Sequence, residues 1–236
     1  MNRLIKLTLD LFLKPNCPLC HRPAEREVCS HCEKQILECG SSQNYRLQNR
    51  IPVFVWGKHD GSLKRAIATM KYQQHPEIAR PLGFQLAVAW FKDAKTLPKD
   101  DVVVVPIPLS AEKQKQRGFN QAEQIARSFC QATGFPLKSQ GLERVRSTQP
   151  QHKLSARQRQ KNLKGAFKLG KDFQRGLSKK SVLLVDDIFT TGATVNTAIQ
   201  VFQQAGIKVV GVVALSTTKK ADSENGAASK ILASPA

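Results

Sequence analysis

Val182-Leu-Leu-Val-Asp186-Asp187-Ile-Phe-Thr190-Thr191-Gly192-Ala193-Thr194 decides the reading of this chain. Four consecutive apolar residues, Val182–Val185, fit a strand buried on both faces, the kind that builds parallel sheets. The run ends on two carboxylates, and a loop rich in Thr and Gly then leads into a helix over Thr194–Ala205, closed by Gly206. Open α/β sheets bind ligands at the carboxyl ends of their strands. Gly192 lets the backbone come close to such a ligand, and the helix start presents free N–H groups. The hydroxyls of Thr190, Thr191 and Thr194 add donors, so the loop has the makings of a phosphate cradle. Asp186 and Asp187 can accept hydrogen bonds from the vicinal hydroxyls of a ribose. A strand end capped by threonines would explain the loop but not the two acids in front of it. The Walker and dinucleotide-binding glycine patterns are absent.

Working outward, Val102–Val105 is a second strand buried on both faces, and Val53–Trp56 and Val209–Leu215 are two more. The helix Thr194–Ala205 joins two of them into a βαβ unit. Further helices are expected over Leu63–Met70, over Glu77–Phe91 with Pro81 near its start, and over Asn120–Thr133, stopped by Gly134. The fold class is therefore α/β, an open and mostly parallel sheet. Pro106 and Pro108 follow the second strand and leave a cis bond or a rigid extended segment equally open.

Ahead of the sheet stand Cys17-Pro-Leu-Cys20 and Cys29-Ser-His-Cys32. Two such pairs bring four thiolates to one tetrahedral centre, which makes a structural zinc module with Cys17, Cys20, Cys29 and Cys32 as ligands. Two disulfides are the competing reading, disfavoured because adjacent short loops give poor disulfide geometry. His21, His31 and Cys39 read as bystanders, and Cys130 as a small buried hydrophobe. Three segments follow: residues 1–45 with an N-terminal helix and the cysteine module, 46–219 with the sheet, and a polar tail over 220–236.

The 236 residues carry 37 Lys+Arg against 18 Asp+Glu, a net charge of +19, and 41% hydrophobic residues, enough for a core. Such an excess points to polyanions: nucleic acid, phosphorylated ligands or an anionic surface. It is concentrated between Ser110 and Lys180, where 17 basic residues face four acidic ones, a net +13. Within that stretch Thr148–Asn162 has little hydrophobic period and reads as a mobile basic loop. Aromatic residues are few there, so base stacking would be limited to Phe119 or Phe173, with phosphate contacts dominating. No apolar run is long enough to span a membrane. Over Met1–Pro15, Lys6 and Asp10 interrupt any signal-peptide core, and a short amphipathic helix and a cytoplasmic protein are expected.

At Asp186–Thr194 the sequence resembles the type I phosphoribosyltransferases, whose signature for 5-phosphoribosyl 1-pyrophosphate (PRPP) it matches residue by residue. That resemblance implies a sheet of the phosphoribosyltransferase kind. It places the ribose hydroxyls on Asp186 and Asp187 and the 5′-phosphate on Thr190, Thr191, Gly192, Ala193 and Thr194, with Mg²⁺ accompanying PRPP. Further segments narrow it. Val105-Pro-Ile-Pro108, Arg117-Gly-Phe-Asn-Gln121, Arg144-Val-Arg146-Ser-Thr148-Gln-Pro-Gln151, Arg157 with Asn162–Phe167, Leu63-Lys64, Met70-Lys71-Tyr72 and the four-cysteine knuckle together resemble the ComF/GntX family. The likeness covers roughly residues 10–218, the tail after Lys220 being the chief departure. It implies a DNA-handling protein of natural competence, meeting single-stranded DNA, PRPP or a related nucleotide phosphate, and proteins of DNA uptake or recombination. Arg117, Arg144, Arg146, Arg157 and Arg159 are the candidates for a pyrophosphate or for DNA phosphates. The alternative is an active phosphoribosyltransferase passing ribose 5-phosphate to a nitrogen nucleophile. No base-recognition pocket or catalytic residue is legible, so enzymatic activity stays open.

Overall fold

The computed structural model describes residues 15–47, 49–93, 101–145, 165–174 and 180–219. Arg146, Arg157 and Arg159, the basic loop Thr148–Asn162, the first 14 residues and the tail from residue 220 lie outside them.

In chain order the elements are α1 (Ser30–Leu37), β1 (Gly40–Arg46), β2 (Pro52–Lys58), α2 (Gly61–Tyr72), a 3-10 turn (Pro76–Ile78), α3 (Ala79–Asp93), β3 (Val102–Pro106), α4 (Ala111–Arg117), α5 (Gln121–Thr133), β4 (Leu142–Arg144), β5 (Phe167–Leu169), α6 (Lys171–Gln174), β6 (Ser181–Phe189), α7 (Ala193–Gln204) and β7 (Val209–Thr217). Among the described residues five strands form one sheet in the order β1-β2-β7-β6-β3. All neighbours are parallel except the edge pair β1–β2. The protein is thus an α/β fold with a mostly parallel sheet.

The valine-rich strands work because helices cover both sides. Leu183 and Val185 enter one apolar cluster with Ile67, Met70, Leu82 and Phe129, while Val182 and Leu184 enter a second with Ile199 and Phe202. Each such side chain stabilises the fold by about 1.5–3 kcal/mol when taken fully out of water. Asn120 starts α5 from beside β3: its Oδ1 accepts from Ala122 N at 3.1 Å and its Nδ2 donates to Ile107 O at 3.0 Å. Gly134, left-handed at φ 77°, ends that helix.

Several features differ from the sequence expectation. The strand β6 runs past Val185 to Phe189, so Asp186 lies within the ladder opposite Ala214. The reason is β7, which continues alongside to Thr217 and pairs the extra backbone groups. Pro81 sits in the first turn of α3, where its missing N–H leaves no bond unmade. The bonds at Pro106 and Pro108 are trans, since no described peptide bond is cis. β1 gave almost no signal because it is a polar edge strand that buries only Tyr45. The boundary expected between residues 45 and 46 falls inside this strand. Cys17, Leu19, Val28, Cys32 and Ile36 share their cluster with Met70 and Leu82, so the cysteine module is packed into the sheet's own core.

Candidate functional site

The cysteine module is built from a turn and a helix start. Cys17 N donates to Arg22 O and His21 N to Cys17 O, both short bonds that fold the first knuckle, with His21 at φ 60°. Cys29 precedes α1 and Cys32 lies in its first turn. The four sulfurs lie within 4.8 Å of one another, and Cys20 Sγ and Cys29 Sγ are 3.5 Å apart. A tetrahedral zinc with bonds of about 2.3 Å sets its sulfurs roughly 3.8 Å apart, so this cluster could hold a metal such as zinc. All four cysteines are free, which leaves the disulfide reading without support. Burial opposes ionisation of Cys17, but N–H groups of Cys29, Leu19 and Cys20 outweigh it and lower the thiol to about 7. Cys130 is buried in α5 and its thiol is pushed up to about 12 by burial alone, the behaviour of an inert apolar residue.

The second constellation lies at the carboxyl edge of the sheet. Side chains alternate along a strand, so two adjacent acids are sent to opposite faces. Asp187 meets the side that carries α2, where its Oδ2 lies 2.7 Å from Lys71 Nζ. Asp186 is opposite Ala214 of the second cluster, and its Oδ1 accepts from Asp187 N at 2.8 Å. Its pKa is raised to about 7, first by burial and then by the neighbouring Asp187, against the opposing pull of that N–H, Lys71 and Arg144.

Four cations stand around this pair. Lys71 ends α2. Lys113 and Arg117 are four residues apart on α4, hence on one helix face, and Arg144 ends β4. The Lys113 ammonium is lowered by burial and by the charges of Arg117, Arg144 and Lys71, with Asp187 acting the other way. Burial also lowers the Arg144 guanidinium, and Asp186 opposes this. Arg117 donates to Gln121 Oε1 at 2.8 Å and lies over the Tyr72 ring, 5.3 Å from its centroid. Arg144 lies over Phe167 at 5.5 Å, within the two-stranded β4–β5 sheet. Beyond Lys71, His59 closes the row at the end of β2, its Nδ1 3.0 Å from Ser216 Oγ. Burial and then Lys71 and Lys64 lower its imidazole.

On the far side, Thr190 and Thr191 turn into α7 through Gly192, which is left-handed at φ 81°. A Cβ there would lie 2.9 Å from Leu47 Cδ2 and 3.3 Å from the Phe189 ring, and the left-handed backbone strains any residue with a Cβ, so glycine is favoured. Ala193 N donates to Thr191 Oγ1 at 3.4 Å, and no side chain caps the helix from Gly192. The turn therefore offers helix-terminal N–H groups beside hydroxyls, the arrangement that suits an anion.

Of the expected residues, Asp186, Asp187, Arg117 and Arg144 come together at this edge. Lys71, Lys113 and His59 were missed as members of the site. Lys113 had a legible signal, the Lys-x-x-x-Arg spacing in a helix directly after a buried strand, whereas Lys71 is recruited across the sheet from a distant helix. Of the two expected stacking residues Phe173 is corrected: it is 2% exposed and packs edge-on against Phe202. Phe119 is half-buried, packed against the first cluster with part of its surface open. Among the described residues, the exposed aromatic at the site is Tyr72. Among the described residues no helix is long and apolar enough to cross a membrane.

A family model described as phosphoribosyl transferase domain matches residues 101–228. Competence protein F of Haemophilus influenzae is 30% identical over 210 residues, covering 80% of this chain and 90% of that protein. DNA utilization protein YhgH of Salmonella typhimurium is 39% identical over 158 residues, 66% of this chain and 67% of its own. Competence protein ComFC of Bacillus subtilis is 29% identical over 191 residues, 80% of this chain and 72% of its own.

Proposed function

This chain belongs to the phosphoribosyl transferase domain family and, within it, to the competence protein F relatives, and from that premise we propose that it is a cytoplasmic DNA-handling protein of natural competence that retains a PRPP site. The relatives' names, competence protein and DNA utilization protein, support the DNA role. The observation that carries the PRPP reading is the carboxylate pair Asp186–Asp187, with Lys71 paired to Asp187, Lys113 and Arg144 acting on the pair, and a glycine-turned helix start directly after it in the chain. PRPP has that sequence of parts: a pyrophosphate, vicinal hydroxyls and a 5′-phosphate. Asp186 and Asp187 accept from the hydroxyls, and Thr190–Thr194 hold the 5′-phosphate. Lys71, Lys113, Arg117 and Arg144 face the pyrophosphate. Mg²⁺ arriving with PRPP supplies further charge neutralisation. Cys17, Cys20, Cys29 and Cys32 hold a structural zinc, with no position open for chemistry.

Single-stranded DNA is met through the basic stretch that includes Arg144, Arg146, Arg157 and Arg159, and proteins of DNA uptake or recombination are the expected partners. The test of the PRPP site is a thermal-shift measurement with Mg²⁺ and PRPP. Wild type gains stability because the ligand binds only the folded chain. Asp186→Asn with Asp187→Asn loses that gain while staying folded. A double variant that still responds to PRPP removes these carboxylates from the site.

A further inference from the structure

We propose that Tyr72 is a stacking platform for a base of single-stranded DNA, an inference that rests on the DNA reading above. Tyr72 is the last residue of α2 and is 71% exposed, although Met70 two positions earlier is fully buried. An aromatic ring left bare at a helix end is apolar surface that folding has not used. It is also held in place. The Arg117 guanidinium covers one face at 5.3 Å, and Arg117 is itself tied to Gln121, a residue with no exposed surface, at 2.8 Å. With one face taken by the cation, the open face and the rim make up the exposed area. Lys113 shares the helix face of Arg117. A base laid on the open face thus has its flanking phosphates near the charges of Arg117 and Lys113.

The occupant follows from that pairing of groups. Flat apolar surface beside cations suits a base on a phosphodiester chain. A duplex keeps its base faces stacked internally, so a single strand fits where a double helix does not. PRPP brings the phosphates but no ring. The platform also supplies what the basic stretch alone lacks, because phosphate contacts hold a strand without reading whether its bases are unstacked.

The test uses the full chain and three labelled probes followed by anisotropy: an oligothymidylate, an abasic oligomer of equal length, and thymidine monophosphate. Wild type is expected to bind the oligothymidylate more tightly than the abasic strand. Tyr72→Ala is expected to weaken the oligothymidylate by about 5- to 150-fold and to leave the abasic strand unchanged. Phe84→Ala removes another exposed aromatic, on α3 and 51% exposed, and is expected to change nothing. Tyr72→Trp retains affinity and reports stacking as fluorescence quenching, since Trp56 and Trp90 are only 5% and 8% exposed. Thermal unfolding confirms that each variant is folded. If wild type binds no oligothymidylate, the DNA reading itself fails and the platform with it. If wild type binds but Tyr72→Ala binds equally well, or Tyr72→Trp is not quenched, the platform alone is refuted. Binding of the monophosphate as tight as that of the strand assigns the ring to a free nucleotide and overturns the proposal.

Discussion

Replacing Lys71 by Met tests whether the acid pair is held in its present form by a cation from α2. At 2.7 Å the attraction to Asp187 is about 6 kcal/mol for an effective dielectric near 20, most of it offset by withdrawing both groups from water. The side chains are 11% and 15% exposed, so truncation belongs at the low end for a buried pair, about 3 kcal/mol. The loss depends on pH. Lys71 is one of the cations that favour the ionised form of Asp186, whose pKa is already about 7, so without it a proton taken up at Asp186 relieves the repulsion within the pair. The cost is therefore full at pH 8 and reduced at pH 5.5. For a chain of 236 residues, 3 kcal/mol corresponds to a fall in Tm of about 6–12 °C at pH 8. Thermal and urea unfolding of wild type, Lys71→Met, Asp187→Asn and the double variant give the coupling energy. It should be about 2 kcal/mol at pH 8 and smaller at pH 5.5. A coupling under about 0.5 kcal/mol at pH 8 refutes the argument, because the pair would then act as an exposed one.

Asp186 makes a further pH prediction. Its folded pKa of about 7 lies above the ordinary value of 3.8, so the folded state keeps a proton that the unfolded state releases, and stability falls as pH rises from about 4 to 7. Asp186→Asn should flatten that slope in urea titrations at stepped pH, while PRPP binding by wild type should improve above pH 7, where the ionised carboxylate accepts from hydroxyls. Elemental analysis should find about one zinc per chain. Cys29→Ser should lower the single Tm of the whole chain, because the module's apolar residues share a cluster with Met70 and Leu82, and two separate transitions would contradict that packing. Gly192→Ala should cost about 1–3 kcal/mol, from a left-handed φ of 81° and a Cβ pressed on Leu47, and should abolish the PRPP-induced shift in Tm.

The sequence by itself determined the four apolar strands β2, β3, β6 and β7 and the order of the chemistry along the chain. A run such as Val102–Val105 can only be buried on both faces, and that local composition implies a parallel sheet with helices over it. The cysteine spacing was equally self-contained, since each knuckle closes within four residues. So was the turn at Gly192, whose left-handed backbone glycine adopts without strain. Other features were invisible for a physical reason. β1 is a polar edge strand whose place depends on pairing with β2, and no periodicity announces it. The cysteine module read as a separate unit because its residues are contiguous, yet Cys17 and Ile36 pack with Met70 and Leu82. At the sheet edge, the adjacency of Asp186 and Asp187 was plain, but not which partner each would face. Strand alternation sends them to opposite sides, and the helix packed on each side then decides: α2 brings Lys71 to Asp187 from more than a hundred residues away in the chain. Tyr72 was passed over for the same reason. Only the packing of α2 beside α4 turns a helix-end tyrosine into an exposed ring backed by Arg117, because burial and cation contacts belong to tertiary neighbours and leave no mark on local sequence.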